Sequence, residues 1–450
     1  MKIKTILIAN RGEIARRIIR TCKAKGIRTI AVHSEADAPM PFVREADAAV
    51  VIGPPPVVKS YLNMEAIIQA AKDHGVDAIH PGYGLLSENG NFARRCAEEG
   101  IVFIGPRPEV MEDMGDKIRA RTRMMEAGIP VVPGYNGSIA DAEEACSIAA
   151  DIGYPVMLKA SAGGGGIGMQ VCENEEEVRK AFQSAKGRAK AYFGNDDMFI
   201  EKYIEEPHHI EVQIAGDEHG HIIHLFEREC SIQRRHQKVI EESPSPFLDD
   251  VTREAICRTA VQAAQAVGYT GVGTVEFIMN GEQEFFFLEM NTRLQVEHPV
   301  TEAVTGFDLV EMQLMIAEEK ALTISQEEVI QRGHAIELRI YAEDPITFMP
   351  SPGTISRYEQ PEGKGIRVDD AVESGSTITP YYDPMIGKLI VSGNTRAEAI
   401  ARAEEALAQY VIDGIKTNLP MLGDVLRDEA FVAGTYTTQF VQQMKRTTNK

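Results

Sequence analysis

The chain has 450 residues, a formal net charge of −20, 44% hydrophobic and 25% charged residues, the profile of a globular protein of about two to four domains. So acidic a balance excludes nucleic acid and anionic membrane surfaces as general partners, because both demand a basic face. No window approaches the ~20 apolar residues of a membrane span, and six scattered cysteines without a C-x-x-C pair suggest neither zinc nor disulfides, as expected of a cytoplasmic protein.

Strands and helices alternate at the start. Residues 4–9 read as a strand, 13–25 as a helix, 28–33 as a strand, 64–73 as a helix, 78–80 as a strand, 91–98 as a helix and 101–104 as a strand. This order implies a parallel, doubly wound sheet. The turn Asn10-Arg-Gly-Glu13 falls where such sheets bind phosphates, but it lacks G-x-G-x-x-G. The loop His80-Pro-Gly-Tyr-Gly-Leu-Leu-Ser-Glu-Asn89 lies at the carboxyl end of a strand, where ligands collect in open α/β sheets.

A break falls near residues 114–117. Beyond a linker at 128–134, two short strands, 155–160 and 169–172, flank Ser161-Ala-Gly-Gly-Gly-Gly-Ile-Gly168. A strand on each side makes this the tip of a hairpin rather than a dinucleotide loop. Successive glycines, Gly164, Gly165 and Gly166 among them, let backbone N–H groups approach a phosphate chain. Lys159 stands beside them with an ammonium. In the stretch 199–204, only Glu201 and Lys202 break an otherwise apolar run, a pattern that suits the donor–acceptor edge of an adenine.

The segment 228–238 is the densest basic cluster of the chain. Arg and Lys there supply charge, and Gln233 and His236 supply hydrogen bonds, for an anion. Further on, strands at 272–279 and 284–291 flank Asn280-Gly-Glu-Gln283, a hairpin signal. A four-residue loop sets Glu276 opposite Phe287, with Glu289 on the same face as a diagonal neighbour, roughly 7–8 Å away. Two like charges so close call for a cation, and hard oxygen ligands favour Mg²⁺ or Mn²⁺. A last segment, from about 332, mixes strands at 335–341 and 388–392 with a helix at 396–410.

Together, Ile8-Ala-Asn-Arg-Gly-Glu13, His80-Pro-Gly-Tyr-Gly84, Lys117, Lys159 with its glycine loop, Glu201-Lys202, Arg234-Arg-His-Gln-Lys238, Glu276, the run Glu289-Met-Asn-Thr-Arg-Leu-Gln-Val-Glu-His298, Glu337-x-Arg339 and Ala342-Glu-Asp344 resemble the biotin carboxylases over nearly the whole chain. The resemblance implies an α/β and α+β protein of the ATP-grasp fold. Its expected parts are an N-terminal Rossmann-like domain (1–114), an ATP-grasp domain (115–330) with a mobile lid at about 131–203, and a C-terminal mixed α/β domain (331–446).

It also implies a reaction in which bicarbonate attacks the γ-phosphate of MgATP and the resulting carboxyphosphate carboxylates N1 of biotin. Carried over by position, Lys117, Lys159, Gly164, Gly165, Gly166, Glu201, Lys202, Tyr203, Ile204, His209, Gln233 and His236 hold ATP, with Glu276 and Glu289. Those two glutamates and Asn291 hold the metal. Lys238, Arg293, Gln295, Val296 and Glu297 grip bicarbonate, with Glu297 as base. Arg339 stabilises the biotin enolate, and Tyr83 packs near the ureido ring.

Many relatives have Arg where this chain has Ile167, and Gly where it has Ala162. No Ala-Met-Lys-Met segment occurs, so biotin is expected on a separate carrier protein, with a carboxyltransferase as further partner and a homodimer as the family habit. Two other readings stand beside this one: a different ATP-grasp ligase of the carbamoyl-phosphate or purine type, and a non-catalytic nucleotide-binding subunit.

Overall fold

The computed structural model describes residues 2–448, apart from 136, 138, 161–168 and 194–196. At the N-terminus, β1 (Thr5–Ile8), β2 (Arg28–Ser34), β3 (Ala48–Gly53), β4 (Ala78–His80) and β5 (Val102–Phe103) form a parallel sheet in the order β3-β2-β1-β4-β5. Helices Gly12–Ala24, Met64–Asp73 and Gly90–Glu98 connect its strands. The strand β3, which the sequence reading passed over, is a short apolar run at the edge of the sheet, with only Ile52 buried. Strand order reverses between β1 and β4, which opens a crevice at their carboxyl ends.

A second unit is built from β6 (Gly134–Tyr135), β7 (Val156–Ala160), β8 (Gln170–Cys172) and β9 (Met198–Lys202), antiparallel in the order β6-β9-β7-β8. Helices Ala142–Ile152 and Glu175–Phe193 cover it. Ile139, Leu158, Val178, Phe182 and Ile200 belong to a core of its own. The glycine loop, including Gly164, Gly165, Gly166 and the variant positions Ala162 and Ile167, lies outside the described residues.

The largest sheet has eight antiparallel strands. They are β10 (His208–Gly216), β11 (Ile222–Arg234), β12 (Gln237–Ser243), β13 (Gly271–Met279), β14 (Phe285–Asn291), β15 (His334–Tyr341), β16 (Ile366–Asp370) and β17 (Met385–Gly393), in the order β14-β13-β10-β11-β12-β15-β17-β16. Because β12 pairs with β15, this sheet runs unbroken from the central part of the chain into the C-terminal part. Its apolar residues, such as Ile240, Ile336, Leu338 and Leu389, join the main core. Many of its polar residues, among them Glu211, Arg228, Glu276 and Arg339, are buried as well.

Candidate active site

Directly paired residues of neighbouring strands share a face. Glu289 lies opposite Glu276, Glu276 opposite Glu211, and Glu211 opposite Arg228. Four charged residues thus cross β14, β13, β10 and β11 in one file. The expected diagonal relation between Glu276 and Glu289 is corrected here. The hairpin loop is one residue longer than four, since Met279 pairs with Phe285, and a bulge at Leu288 adds another step. Such bulges re-aim side chains beside functional sites, and this one sets the two carboxylates side by side.

Burial alone would raise Glu276, but Lys238 and His209 hold it well below the usual carboxylate range. Its Oε1 accepts from Lys238 Nζ (2.9 Å), Asn291 Nδ2 (2.8 Å) and Gln295 Nε2 (2.6 Å), and its Oε2 meets His209 Nε2 at 2.7 Å. Gln233 in turn donates to His209 Nδ1 at 2.9 Å.

Glu289 is the opposite case. Burial and the charge of Glu276 push it up, against the pull of Lys117. Among the described residues it has no hydrogen-bond or ion-pair partner. An unpartnered carboxylate facing an ionised one is what a divalent cation relieves, so the residues fit Mg²⁺ or Mn²⁺. Asn291 braces this pair: its amide faces Glu276, while its Oδ1 accepts from Arg293 Nη2 at 2.8 Å.

The ammonium of Lys238 also pairs with Glu211 and lies 2.8 Å from Glu297 Oε1. Burial opposes its charge, yet Glu211, Glu276 and Glu297 keep it protonated. Burial likewise opposes the charge of Glu297, and Lys238, Arg339 and Arg228 hold it well down. Arg339 Nη2 reaches Glu297 Oε2 at 2.9 Å, and Arg339 Nε reaches Glu241 Oε1 at 2.6 Å. Arg293 Nε donates to Glu88 at 2.8 Å. The Val296 carbonyl accepts from Lys388 Nζ at 2.7 Å.

At the other end of the file, Lys159 pairs with Glu201. Lys202 donates to the Gly153 and Tyr154 carbonyls, at 3.0 and 2.8 Å. Lys117 opens the helix Lys117–Glu126. Burial lowers it, and it lies within electrostatic reach of Glu289, Lys159 and Glu201. Tyr203 and Ile204 follow directly on β9. His236 is exposed in the turn after β11, and both it and Arg235 have positive φ. The basic run before that turn is a buried strand: Arg228 is fully covered, and Arg234 pairs with Glu343.

Of the residues expected from the sequence, His209, Gln233, Lys238, Glu276, Gln295, Glu297 and Arg339, with Asn291 and Arg293 at the edge, form one hydrogen-bonded network. Lys117, Lys159 and Glu201 meet beside Glu289. Tyr83 is not hydrogen-bonded into this network: its hydroxyl donates to Glu13, within electrostatic reach of Arg339. The sequence reading missed Glu211, Glu241 and Glu88 as partners. For Glu211 a signal existed: strand alternation places it on the face of His209.

A sheet that holds a metal-type carboxylate pair beside lysines at one end, and an ionised, cation-flanked carboxylate at the other, suits a nucleotide-dependent ligase that activates a small acid. Comparison with known proteins agrees. Residues 2–111 match the family "Biotin carboxylase, N-terminal domain", 116–325 "Carbamoyl-phosphate synthase L chain, ATP binding domain", and 337–443 "Biotin carboxylase C-terminal domain". A biotin carboxylase of Halalkalibacterium halodurans is 61% identical, over 97% of each chain. The biotin carboxylase of Campylobacter jejuni, solved as a complex with β,γ-ATP, superposes with a TM-score of 0.96 at 49% identity, covering 98% of this chain and 99% of that one. The biotin carboxylase domain dimer of the Hydrogenobacter thermophilus 2-oxoglutarate carboxylase, solved with MgADP, ADP and bicarbonate, gives 0.94 at 49% identity, over 98% of each.

The chain belongs to the biotin carboxylase family and has the ATP-grasp fold. It is an ATP-dependent ligase that carboxylates biotin with bicarbonate. None of its helices, among the described residues, is long and apolar enough to cross a membrane.

Proposed function

We propose that the reaction runs along the charged face of the eight-stranded sheet. Lys117, Lys159, Glu201, Lys202, Tyr203, Ile204, His209, Gln233 and His236, together with Gly164, Gly165 and Gly166, hold ATP. Glu276 and Glu289, with Asn291 beside them, would hold Mg²⁺ or Mn²⁺. Such an ion neutralises phosphate charge that builds during transfer.

Lys238, Arg293, Gln295 and the Val296 backbone hold bicarbonate against the phosphates. Glu297 takes its proton, and the freed oxygen attacks the γ-phosphorus as ADP leaves. Positioning and charge neutralisation carry this step, because two anions must meet. The C–O bond of carboxyphosphate then breaks, the released phosphate takes the N1 proton of biotin, and the carboxyl carbon bonds to N1, leaving inorganic phosphate. Arg339 balances the enolate of the ureido ring, and Tyr83 packs beside it. The unit at about 131–203 acts as a lid that keeps water from the labile intermediate.

The observation that carries this reading is the triad Glu276–Lys238–Glu297, joined to Arg339 through Glu297. It sets a metal-type ligand, an anion-binding cation, a base and a second cation within one connected cluster. The test is ATP hydrolysis with and without bicarbonate and free biotin, with carboxybiotin measured directly. Stimulation by bicarbonate together with carboxybiotin is expected. Stimulation by another acceptor but not biotin would point to a different ATP-grasp ligase, and ATP binding without turnover to a nucleotide-binding subunit.

We further infer a cytoplasmic homodimer that receives biotin on a separate carrier protein and works with a carboxyltransferase. The dimer in the Hydrogenobacter thermophilus structure supports the oligomeric part, which light scattering of the purified protein tests.

A further inference from the structure

The turn Asn10–Glu13 occupies the crevice at the reversal point of the N-terminal sheet, where a doubly wound fold would bind a ligand. Instead of glycines for a phosphate, it presents two side chains to the loop after β4. Asn10 Nδ2 donates to the Pro81 carbonyl at 2.7 Å and to the Tyr83 carbonyl at 2.8 Å. Gly82, with φ +63°, leaves room for that amide: a Cβ there would come within 2.8 Å of Asn10 Nδ2. Glu13 accepts the Tyr83 hydroxyl through Oε1. The backbone and the phenol of Tyr83 are thus held from one turn.

The same oxygen of Glu13 faces Lys388 Nζ at 3.2 Å, and that ammonium donates to the Val296 carbonyl at 2.7 Å. Lys388 is fully buried and Glu13 nearly so, and Glu13 Oε2 has no partner. A buried ion pair is costly to form and contributes little net stability. This one joins the N-terminal part of the chain to the C-terminal part, and it ends on the loop that carries Gln295, Val296 and Glu297. Around Glu13 stand Lys388 from β17, Asp369 from β16 and Tyr83 from the β4 loop.

We propose that Glu13 and Lys388 are a positioning pair that ties the phenol of Tyr83 to the Val296 carbonyl, so that the biotin and bicarbonate subsites are built as one unit. This rests on the placement of biotin at Tyr83 and of bicarbonate at Val296 given above. The pair touches neither substrate; it acts through Tyr83 on one side and the Val296 peptide on the other.

The test is steady-state kinetics of Glu13→Gln, Lys388→Met, Tyr83→Phe and the double variant Glu13→Gln/Lys388→Met, with KM measured separately for ATP, bicarbonate and free biotin. Glu13→Gln should raise KM for both bicarbonate and biotin about tenfold, the size of one lost charge-assisted hydrogen bond, and leave KM for ATP unchanged. Lys388→Met should raise chiefly KM for bicarbonate, and Tyr83→Phe chiefly that for biotin. The double variant removes both buried charges and should unfold at a temperature near that of the parent, yet keep the raised KM values. That combination separates positioning from mere structural support.

Glu13→Gln, or the double variant if the single one does not fold, with KM for bicarbonate and biotin both within twofold of the parent would overturn the proposal. So would an equal rise in all three KM values. Tyr83→Phe with an unchanged KM for biotin would instead remove biotin from Tyr83, and with it the coupling proposed here, while leaving the bicarbonate assignment standing on Lys388→Met.

Discussion

Lys238 Nζ lies 2.8 Å from Glu297 Oε1, and the same ammonium pairs with Glu211 and Glu276. One cation therefore bridges three buried carboxylates, which Arg228, His209 and Arg339 flank one each. Lys238→Met leaves those acids facing one another and should destabilise the protein by about 3–5 kcal/mol, the cost of breaking a buried pair on one side. Urea or thermal unfolding measures this. A variant as stable as the parent would show that the carboxylates find other partners.

Glu276 and Glu289 should respond differently to neutralisation. Glu276→Gln removes the charge shared by Lys238, Asn291 and Gln295 and puts a donor in place of one accepting oxygen, and should cost more than about 2 kcal/mol. Glu289→Gln relieves a like-charge contact and should leave the metal-free protein as stable or more stable. Both should raise the Mg²⁺ concentration for half-maximal ATPase by about tenfold or more, one lost carboxylate ligand being worth at least one charge-assisted bond. Mg²⁺ titration of the ATPase, alongside unfolding without metal, reads both effects.

In the proposed reaction, Glu297 serves the first half-reaction and Arg339 the second. Glu297→Gln should lower bicarbonate-dependent ATP hydrolysis by about 10²–10⁴-fold, the usual yield of a positioned base. Arg339→Met should abolish carboxybiotin formation while leaving more of the bicarbonate-dependent hydrolysis. Since Lys238 and Arg339 hold Glu297 ionised far below neutrality, any activity loss near pH 6 must come from another group. A pH profile of Glu297→Asp that keeps the parent's acidic limb would agree.

Acid stability should depend on Glu242. It is buried, and burial opposes its charge. His334 and Arg396 nonetheless hold it down at about 2, and Tyr436 adds a further hydrogen bond. A carboxylate with a lowered folded pKa adds stability that is present above its unfolded value near 4.5 and is lost as pH falls through about 2. The shift corresponds to about 3 kcal/mol. Glu242→Gln should flatten the fall in unfolding free energy across that window, and an unchanged slope would refute the assignment.

The alternation of strand and helix at the N-terminus, the hairpin at Asn280-Gly and the residue types for metal, phosphate and base could all be read from the sequence. Local periodicity and side-chain chemistry carry those signals without long-range information. The relation of Glu276 to Glu289 could not be read in the same way. It depends on a bulge and a longer loop, which shift register without leaving a mark on apolar alternation.

The partners of Lys238 were hidden for a different reason. Glu211, Glu276 and Glu297 are brought together by strand order, which places β10, β13 and the loop after β14 around one ammonium. Residue identity along the chain determined what chemistry was available: hard oxygen ligands, cations for an anion, a carboxylate for a proton. Only the folded sheet decided which of these groups meet, because pairing across strands far apart in sequence sets the distances, and those distances set which carboxylates are ionised.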